Sequence, residues 1–221
     1  MYRIGRVLGR FVFAVAFRVN VLHEERLRRA EREGAFILAM THLSHFEPFC
    51  SGVLLSRPID WMTRKEFYKY RLGAWVLESV NCFKVNRQGI PVSAVREAIR
   101  RLEMGRVIGI CPEGGVVRGA EAAIRGGPIK RGVCSAAIRS RAPIVPCVML
   151  GTHVLTRVKP WLPTKSAHLY VAYGEPIVPP PAPGKSTRAT RLALAEQLRA
   201  AYQSLYRELL EHYKLGDADI P

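Results

Sequence analysis

The sequence predicts an α/β fold with a mostly parallel central sheet, helices on both faces, and an N-terminal amphipathic helical segment ahead of it. Three observations carry this expectation. Strand-length apolar runs alternate with helical patterns several times along the chain. The runs are nearly all apolar instead of alternating with polar residues, as strands buried on both faces require. Finally, 221 residues, 48% hydrophobic and 24% charged, hold enough apolar material for one core and exclude a disordered chain.

In residues 2–31, Ile4, Val7, Leu8, Phe11, Val15, Val19 and Leu22 recur at mostly three- and four-residue spacing, with Arg3, Arg6, Arg10 and Arg18 interleaved. That spacing predicts a basic amphipathic helix. Ala35 to Met40 reads as a strand, Ile59 to Thr63 as a second, Glu66 to Val80 as a helix, and Cys82 to Val85 as a strand. Pro91 opens a helix that Gly105 closes, since proline suits the first helical position and glycine the exit. Val107 to Cys111 is the next strand, residues 114–132 are glycine-rich, Val133 to Arg139 is helical, and Ile144 to Leu150 is a strand. His168 to Tyr173 is a late strand placed at a sheet edge by its neighbours Lys165 and Pro176. A stiff connection, Pro176 to Gly184, leads to a last helix from Thr187 to Tyr213, with Leu192, Ala195, Leu198, Tyr202, Leu205 and Leu209 as its stripe and Gly216 as its stop. With no internal repeat, the expectation is one domain over 1–221: an N-terminal segment 1–33, an α/β core 34–175, and a connection with terminal helix 176–221.

Charge narrows the partners. Thirty-four Lys and Arg face 18 Asp and Glu, a formal net charge of +16, so an anionic partner is expected; nucleic acid, an acidic membrane surface and a phosphorylated substrate all satisfy it. The apolar run Phe11 to Phe17 is bounded by Arg10 and Arg18 and falls short of the ~20 residues of a spanning helix. Arginines on both sides of it, and no small-x-small site before Asn20, argue against a cleaved secretory signal and for a cytoplasmic protein. The five cysteines are widely spaced among apolar residues and read as buried thiols, not as a disulfide framework or a metal site.

The informative stretch is Thr41-His42-Leu43-Ser44-His45-Phe46-Glu47-Pro48, directly after the first core strand, where open α/β sheets collect catalytic groups. On one continuous helix His42 and Glu47 would lie about 140° apart. With Pro48 as first helical residue and Glu47 at the N-cap, the carboxylate folds back onto an imidazole in the preceding loop and makes a base with an orienter. His42, His45 and Glu47 together lack further ligands at metal-site spacing, so no metal is expected. Gly184-Lys185-Ser186 imitates the end of a P-loop but has Pro179 where the first glycine belongs, and no Gly-x-Ser-x-Gly elbow occurs.

Three further segments follow in order: Phe83-Lys84-Val85-Asn86-Arg87, Cys111-Pro112-Glu113-Gly114-Gly115, and Ala142-Pro143-Ile144-Val145-Pro146. The ordered set, with Lys130-x-Gly132 before the fourth block, resembles the glycerolipid acyltransferase family of the bacterial lysophosphatidic acid acyltransferase type. That family's blocks are a His-x4-Asp, a strand ending in Arg, a Phe-Pro-Glu-Gly-Thr-Arg and a Pro-bearing strand, and here they span Ala35 to about Thr152. The resemblance implies an O-acyltransferase that moves a fatty acyl group from acyl-CoA or acyl carrier protein to a lysophospholipid hydroxyl, by default of lysophosphatidic acid, without a covalent acyl-enzyme. It implies His42 as general base and Glu47 in place of the family aspartate. Arg87, Glu113, Gly114 and Gly115 would bind the acceptor, and Pro143 to Pro146 would shape the pocket wall. Glu47 is one methylene longer than aspartate, so the loop must shift or the side chain must curl for its bond to His42 to survive. Gly115-Val116 replaces the motif Thr-Arg, and Arg118, Arg125, Lys130 and Arg131 follow as cations able to take that place from a shifted position, Arg118 and Lys130 foremost.

No cofactor is expected beyond the thioester co-substrate. For a lipid substrate, the N-terminal helix, through Phe11, Phe13 and Phe17, and a second zone of Trp61, Arg64, Lys65, Tyr68, Lys69, Tyr70, Arg71 and Trp75 are expected to meet an anionic membrane on its inner face. Alternatives left standing are a non-phosphate lipid or glycolipid acceptor, a lipid-binding homologue without turnover, and, more distantly, a basic nucleic-acid-binding protein, although no nucleic-acid motif appears and none is expected as partner.

Overall fold

The computed structural model describes residues 17–79, 81–85, 92–153, 167–181 and 187–216. Arg87, Phe11, Phe13 and the rest of residues 1–16 lie outside the described residues. The strands are β1 (Phe17–Leu22), β2 (Ile37–Met40), β3 (Ile59–Arg64), β4 (Phe83–Val85), β5 (Val107–Ile110), β6 (Ile144–Leu150) and β7 (Ala167–Tyr173). The helices are α1 (Glu24–Glu33), α2 (Glu47–Leu54), α3 (Arg71–Ser79), α4 (Val92–Glu103), α5 (Gly132–Ser140) and α6 (Arg188–Tyr213), with short 3-10 turns at Lys65–Tyr68, Gly119–Glu121 and Ala123–Arg125. The strands form one sheet in the order β1-β7-β6-β2-β5-β3-β4, parallel throughout except for β6 against β7.

The central strands are apolar because they serve two cores. Along β2, Ile37 and Ala39 pack with Ala98 of α4, Cys134 of α5 and Leu198 of α6, while Leu38 and Met40 pack with Leu27 of α1 and Cys50 of α2. The period-two geometry of a strand sends successive side chains to opposite faces. Each face therefore needs its own helices, and every residue of β2, β5 and β6 is buried.

Four expectations are corrected. Residues 17–22 are a strand, not part of the amphipathic helix: Phe17, Val19 and Val21 alternate with Arg18 and Asn20, and β1 pairs in parallel with β7 from Phe17↔Ala167 to Leu22↔Ala172. Helix begins only at Glu24. Consequently β7 is interior, between β1 and β6, because the missing edge partner comes from the other end of the core. The Glu66 to Val80 helix is split into the 3-10 turn Lys65–Tyr68 and α3. On α6, capped by Thr187 Oγ1 accepting from Thr190 N at 3.0 Å, the buried stripe runs through Leu194, with Leu192 exposed.

The strands β2, β5 and β6 run side by side and parallel, with Ala39 opposite both Ile110 and Pro146. Their C-terminal ends therefore open together, and the loops that follow, Thr41 to Phe46, Cys111 to Val117 and Gly151-Thr152, meet at one edge of the sheet. Pro143 belongs to the opposite edge: its carbonyl accepts from Ile37 N, at the start of β2, at 2.9 Å. It does not line the site.

Candidate active site

Thr41 is the last residue tied to the sheet, its N–H donating to Cys147 O at 3.1 Å, and His42 is the first residue of the loop. The His42 Nδ1–H donates to Glu47 Oε2 at 3.0 Å. A carboxylate only accepts, so Nδ1 carries the proton and Nε2 presents a lone pair. Nε2 has no hydrogen-bond partner among the described residues, and the side chain is 16% exposed. His45, exposed, meets the ring edge-on with centroids 5.8 Å apart.

Glu47 is not the N-cap. It is the first residue of α2, the N-cap being Phe46 without a side-chain cap, and the preceding loop is tied by Ser44, whose Oγ accepts from Phe46 N at 3.1 Å while Glu47 Oε1 accepts from Ser44 N at 2.6 Å. The longer side chain does reach the imidazole, because curling back to Ser44 N also brings Oε2 to Nδ1. Thr152 Oγ1 donates to Oε1 at 2.6 Å, and the carboxylate is wholly buried. Its charge rests on an N–H, an O–H, an imidazole and the positive end of α2.

Thr152 was not singled out as a site residue. Its position two residues past a strand that ends at this edge was the available signal. Gly151 makes the turn at φ 88°, where an added Cβ would collide with His168 O.

Glu113, 8% exposed, turns inward: Oε2 accepts from His42 N at 2.5 Å and Oε1 from Ala123 N at 2.8 Å. Burial pushes its carboxyl up from the ordinary range, against the pull of those amides and of His42, with Glu47 adding to the push. Gly114 takes φ 79°, and its N–H is spent on Cys111 O at 3.0 Å. A Cβ on Gly114 would collide with the Lys130 ammonium, so glycine lets the exposed Lys130 lie across the Glu113-Gly114-Gly115 turn. Lys130 is anchored by its own N–H to Pro112 O at 2.8 Å. Arg118 reaches the histidine loop and donates from Nε to Leu43 O at 2.8 Å. His42, Glu47, Glu113, Gly114, Gly115, Arg118 and Lys130 are thus gathered at one edge.

Of the cysteines, Cys50, Cys134 and Cys147 are buried, whereas Cys82 and Cys111 are partly exposed. Burial, reinforced by the Glu47 charge, pushes the thiols of Cys50, Cys111 and Cys147 well up, so the thiols at this edge are held protonated.

At this edge of the α/β sheet stands an imidazole oriented by a buried carboxylate, open on its second nitrogen and flanked by a glycine turn with two cations. The chain belongs to the acyltransferase family, whose model matches residues 18–150, more than half of it, and it is accordingly an acyltransferase enzyme. It is 27% identical over 152 residues, 68% of this chain and 72% of the relative, to a Bacillus subtilis (strain 168) protein named 1-acyl-sn-glycerol-3-phosphate acyltransferase. Its fold is that of the 1-acyl-sn-glycerophosphate (LPA) acyltransferase PlsC from Thermotoga maritima, with a TM-score of 0.68 at 19% identity, covering 92% of this chain and 79% of that one.

Proposed function

We propose that the protein transfers a fatty acyl group from an acyl thioester, acyl-CoA or acyl carrier protein, to a hydroxyl of a lysophospholipid, with lysophosphatidic acid as acceptor. The observation that carries this reading is the 3.0 Å bond from His42 Nδ1 to Glu47 Oε2, which leaves Nε2 open. The name of the Bacillus subtilis relative supports the acceptor class.

In the reaction, Nε2 takes the acceptor O–H proton as the oxygen attacks the thioester carbonyl. The tetrahedral intermediate collapses, the C–S bond breaks, and the imidazolium returns the proton to the departing sulfur. Glu47 stabilises the imidazolium between the two steps. The products are an ester and a free thiol, and no cofactor is consumed. The N–H of Gly115, which has no partner among the described residues, is available to the oxyanion, while Lys130 and Arg118 supply the positive charge for the acceptor phosphate in place of the motif arginine, which is Val116 here. Protonated thiols at this edge suit direct transfer better than an acyl-cysteine intermediate.

Among the described residues no helix is long and apolar enough to cross a membrane. Phe49, Tyr70 and Trp75 are exposed, and Lys69 sits over the Tyr70 ring at 5.9 Å; aromatic and basic side chains of this kind suit peripheral binding to an anionic inner leaflet.

The test is thiol release with a long-chain acyl-CoA and a panel of lyso-lipids, with product masses. His42→Ala is expected to lose roughly 10²- to 10⁴-fold in kcat, and Glu47→Gln to lose most activity while Glu47→Asp keeps it. Full activity in His42→Ala removes the base. Val116 favours one second reading, an acceptor without phosphate such as a glycolipid, and the same panel separates the two.

A further inference from the structure

We propose that Glu113 is the positioning residue of the catalytic histidine, holding the His42 peptide in place, and not a ligand of the acceptor; this rests on the reading of His42 as the base. Its two oxygens are directed at two backbone amides, His42 N at 2.5 Å and Ala123 N at 2.8 Å, 71 and 10 residues away in the chain. The same segment returns to the loop twice more: Val117 N donates to His42 O at 2.9 Å, and Arg118 Nε to Leu43 O at 2.8 Å. The peptide of His42 is therefore gripped on both its N–H and its C=O by one strand-end turn. With Glu47 on Nδ1, backbone and ring are both fixed, and Nε2 has one direction left to face.

The chemistry of the side chain fits this role and not the other. A carboxylate offers acceptors on both oxygens, as two N–H donors require. It repels an anionic acceptor, and here it is 8% exposed with both oxygens engaged. Among the described residues no guanidinium or ammonium pairs with it; the groups that face it are His42, Glu47, Cys111 and the buried phenol of Tyr202. Its charge is thus stabilised by the amides it positions. Glutamine would set its NH₂ against one of the N–H donors, and aspartate would be too short to span both.

The experiment compares wild type, Glu113→Gln and His42→Ala, using a long-chain acyl-CoA and lysophosphatidic acid, with thiol release as readout and the ¹H resonance of the His42 amide in ¹⁵N-histidine-labelled protein. In Glu113→Gln, kcat per folded enzyme is expected to fall roughly 10- to 100-fold, the cost of a displacement on the order of 1 Å. KM for either substrate is expected to stay within about twofold, since no substrate contact is lost. The His42 amide is expected to move upfield as it loses its carboxylate, a change that a general loss of folded protein would not produce. A large rise in KM for lysophosphatidic acid at unchanged kcat overturns the inference and makes Glu113 an acceptor ligand. A wild-type amide resonance overturns it as well. Full activity in His42→Ala overturns the base reading, whatever the amide shows. If Glu113→Gln does not fold, Ala123→Pro removes only the second donor. Ala123 is the first residue of its 3-10 turn and Ala122 is extended at ψ 142°, a conformation that accepts a following proline. The same kcat loss, smaller, at constant KM is expected there, and wild-type kcat overturns the inference.

Discussion

The two ends of the sheet bury carboxylates in different ways. At the C-terminal ends of β2, β5 and β6, Glu47 and Glu113 are held by backbone N–H groups, a threonine hydroxyl and an imidazole. At the N-terminal ends, Asp60 on β3 is wholly buried against Arg106, through Nε at 2.6 Å and Nη2 at 2.6 Å, and Arg101 Nη1 at 2.7 Å. Glu31, at the end of α1, takes Arg28 Nη1 at 2.9 Å together with the amides of Ser56 and Arg57. A cavity of about 260 Å³ at that end is lined by Asn81, Cys82, Arg101 and Arg106, cations already committed to Asp60. A permanent guanidinium cancels a carboxylate for good. A carboxylate held by dipoles keeps its charge available for a cation that comes and goes, and in the proposed reaction that cation is the His42 imidazolium.

Removing the carboxylate from the arginine end should therefore cost stability and leave turnover alone. Asp60→Asn removes the carboxylate that Arg101 and Arg106 share, guanidiniums that are themselves 18% and 35% exposed, and the expected loss is about 3 kcal/mol in urea unfolding, near the lower limit for breaking a buried pair because water reaches the arginines and Arg101 keeps Glu97 at 2.7 Å. kcat per folded enzyme should stay at the wild-type value. A parallel fall in kcat would show that the two ends are coupled and would break the comparison.

Thr152→Val is the smaller, complementary change. Valine keeps the shape and removes the O–H that Glu47 Oε1 accepts at 2.6 Å, leaving Ser44 N and His42 as its partners. The expected stability loss is about 1.5 kcal/mol, the worth of a hydrogen bond to a charged group. Here kcat should change with it, by about tenfold or less, since the ring's orienter is loosened. Stability loss with an unaltered kcat would mean that Thr152 only packs.

This division of labour was partly legible in the residues alone. The runs at Ile37, Val107 and Ile144 announced strands buried on both faces, and the loop after the first of them announced His42 and Glu47. β1 was misread because Val15, Val19 and Leu22 satisfy a helical spacing while Phe17, Val19 and Val21 satisfy a strand's, and only pairing with β7 decides between them. β7 was misread as an edge for the same reason. Glu113 stood in a recognisable turn, but its direction depends on contacts with residues 71 and 10 positions away. Thr152 meets Glu47 across 105 residues. Local pattern reports which strand ends carry polar groups, not which of those groups touch.

The smallest effect expected from this contrast is in the sign of pH dependence. On α4, hydrogen bonds from Arg100, opposed by burial and joined by Arg101, hold Glu97 down at about 2. A depressed carboxyl stabilises the fold above its ordinary value of 4.5 and loses that contribution as pH falls from 4.5 toward about 2. Glu31 has the same sign: burial pushes it up, but the Arg57 and Ser56 amides and Arg28 outweigh burial and leave it lowered. Glu113 has the opposite sign, because a carboxyl raised by burial favours the folded state when protonated and gives up that advantage as pH rises above 4.5. Glu97 is 31% exposed and its Arg100 partner 57%, so screening cuts its share to about 0.5 kcal/mol. Glu97→Gln should flatten the fall in stability below pH 4.5 by that amount, and Glu113→Gln should leave that branch alone and flatten the branch above it, both read by urea unfolding at constant ionic strength. If both substitutions bend the same branch, carboxylates held by arginine and by amides titrate alike, and the contrast between the two ends of the sheet does not reach their protons.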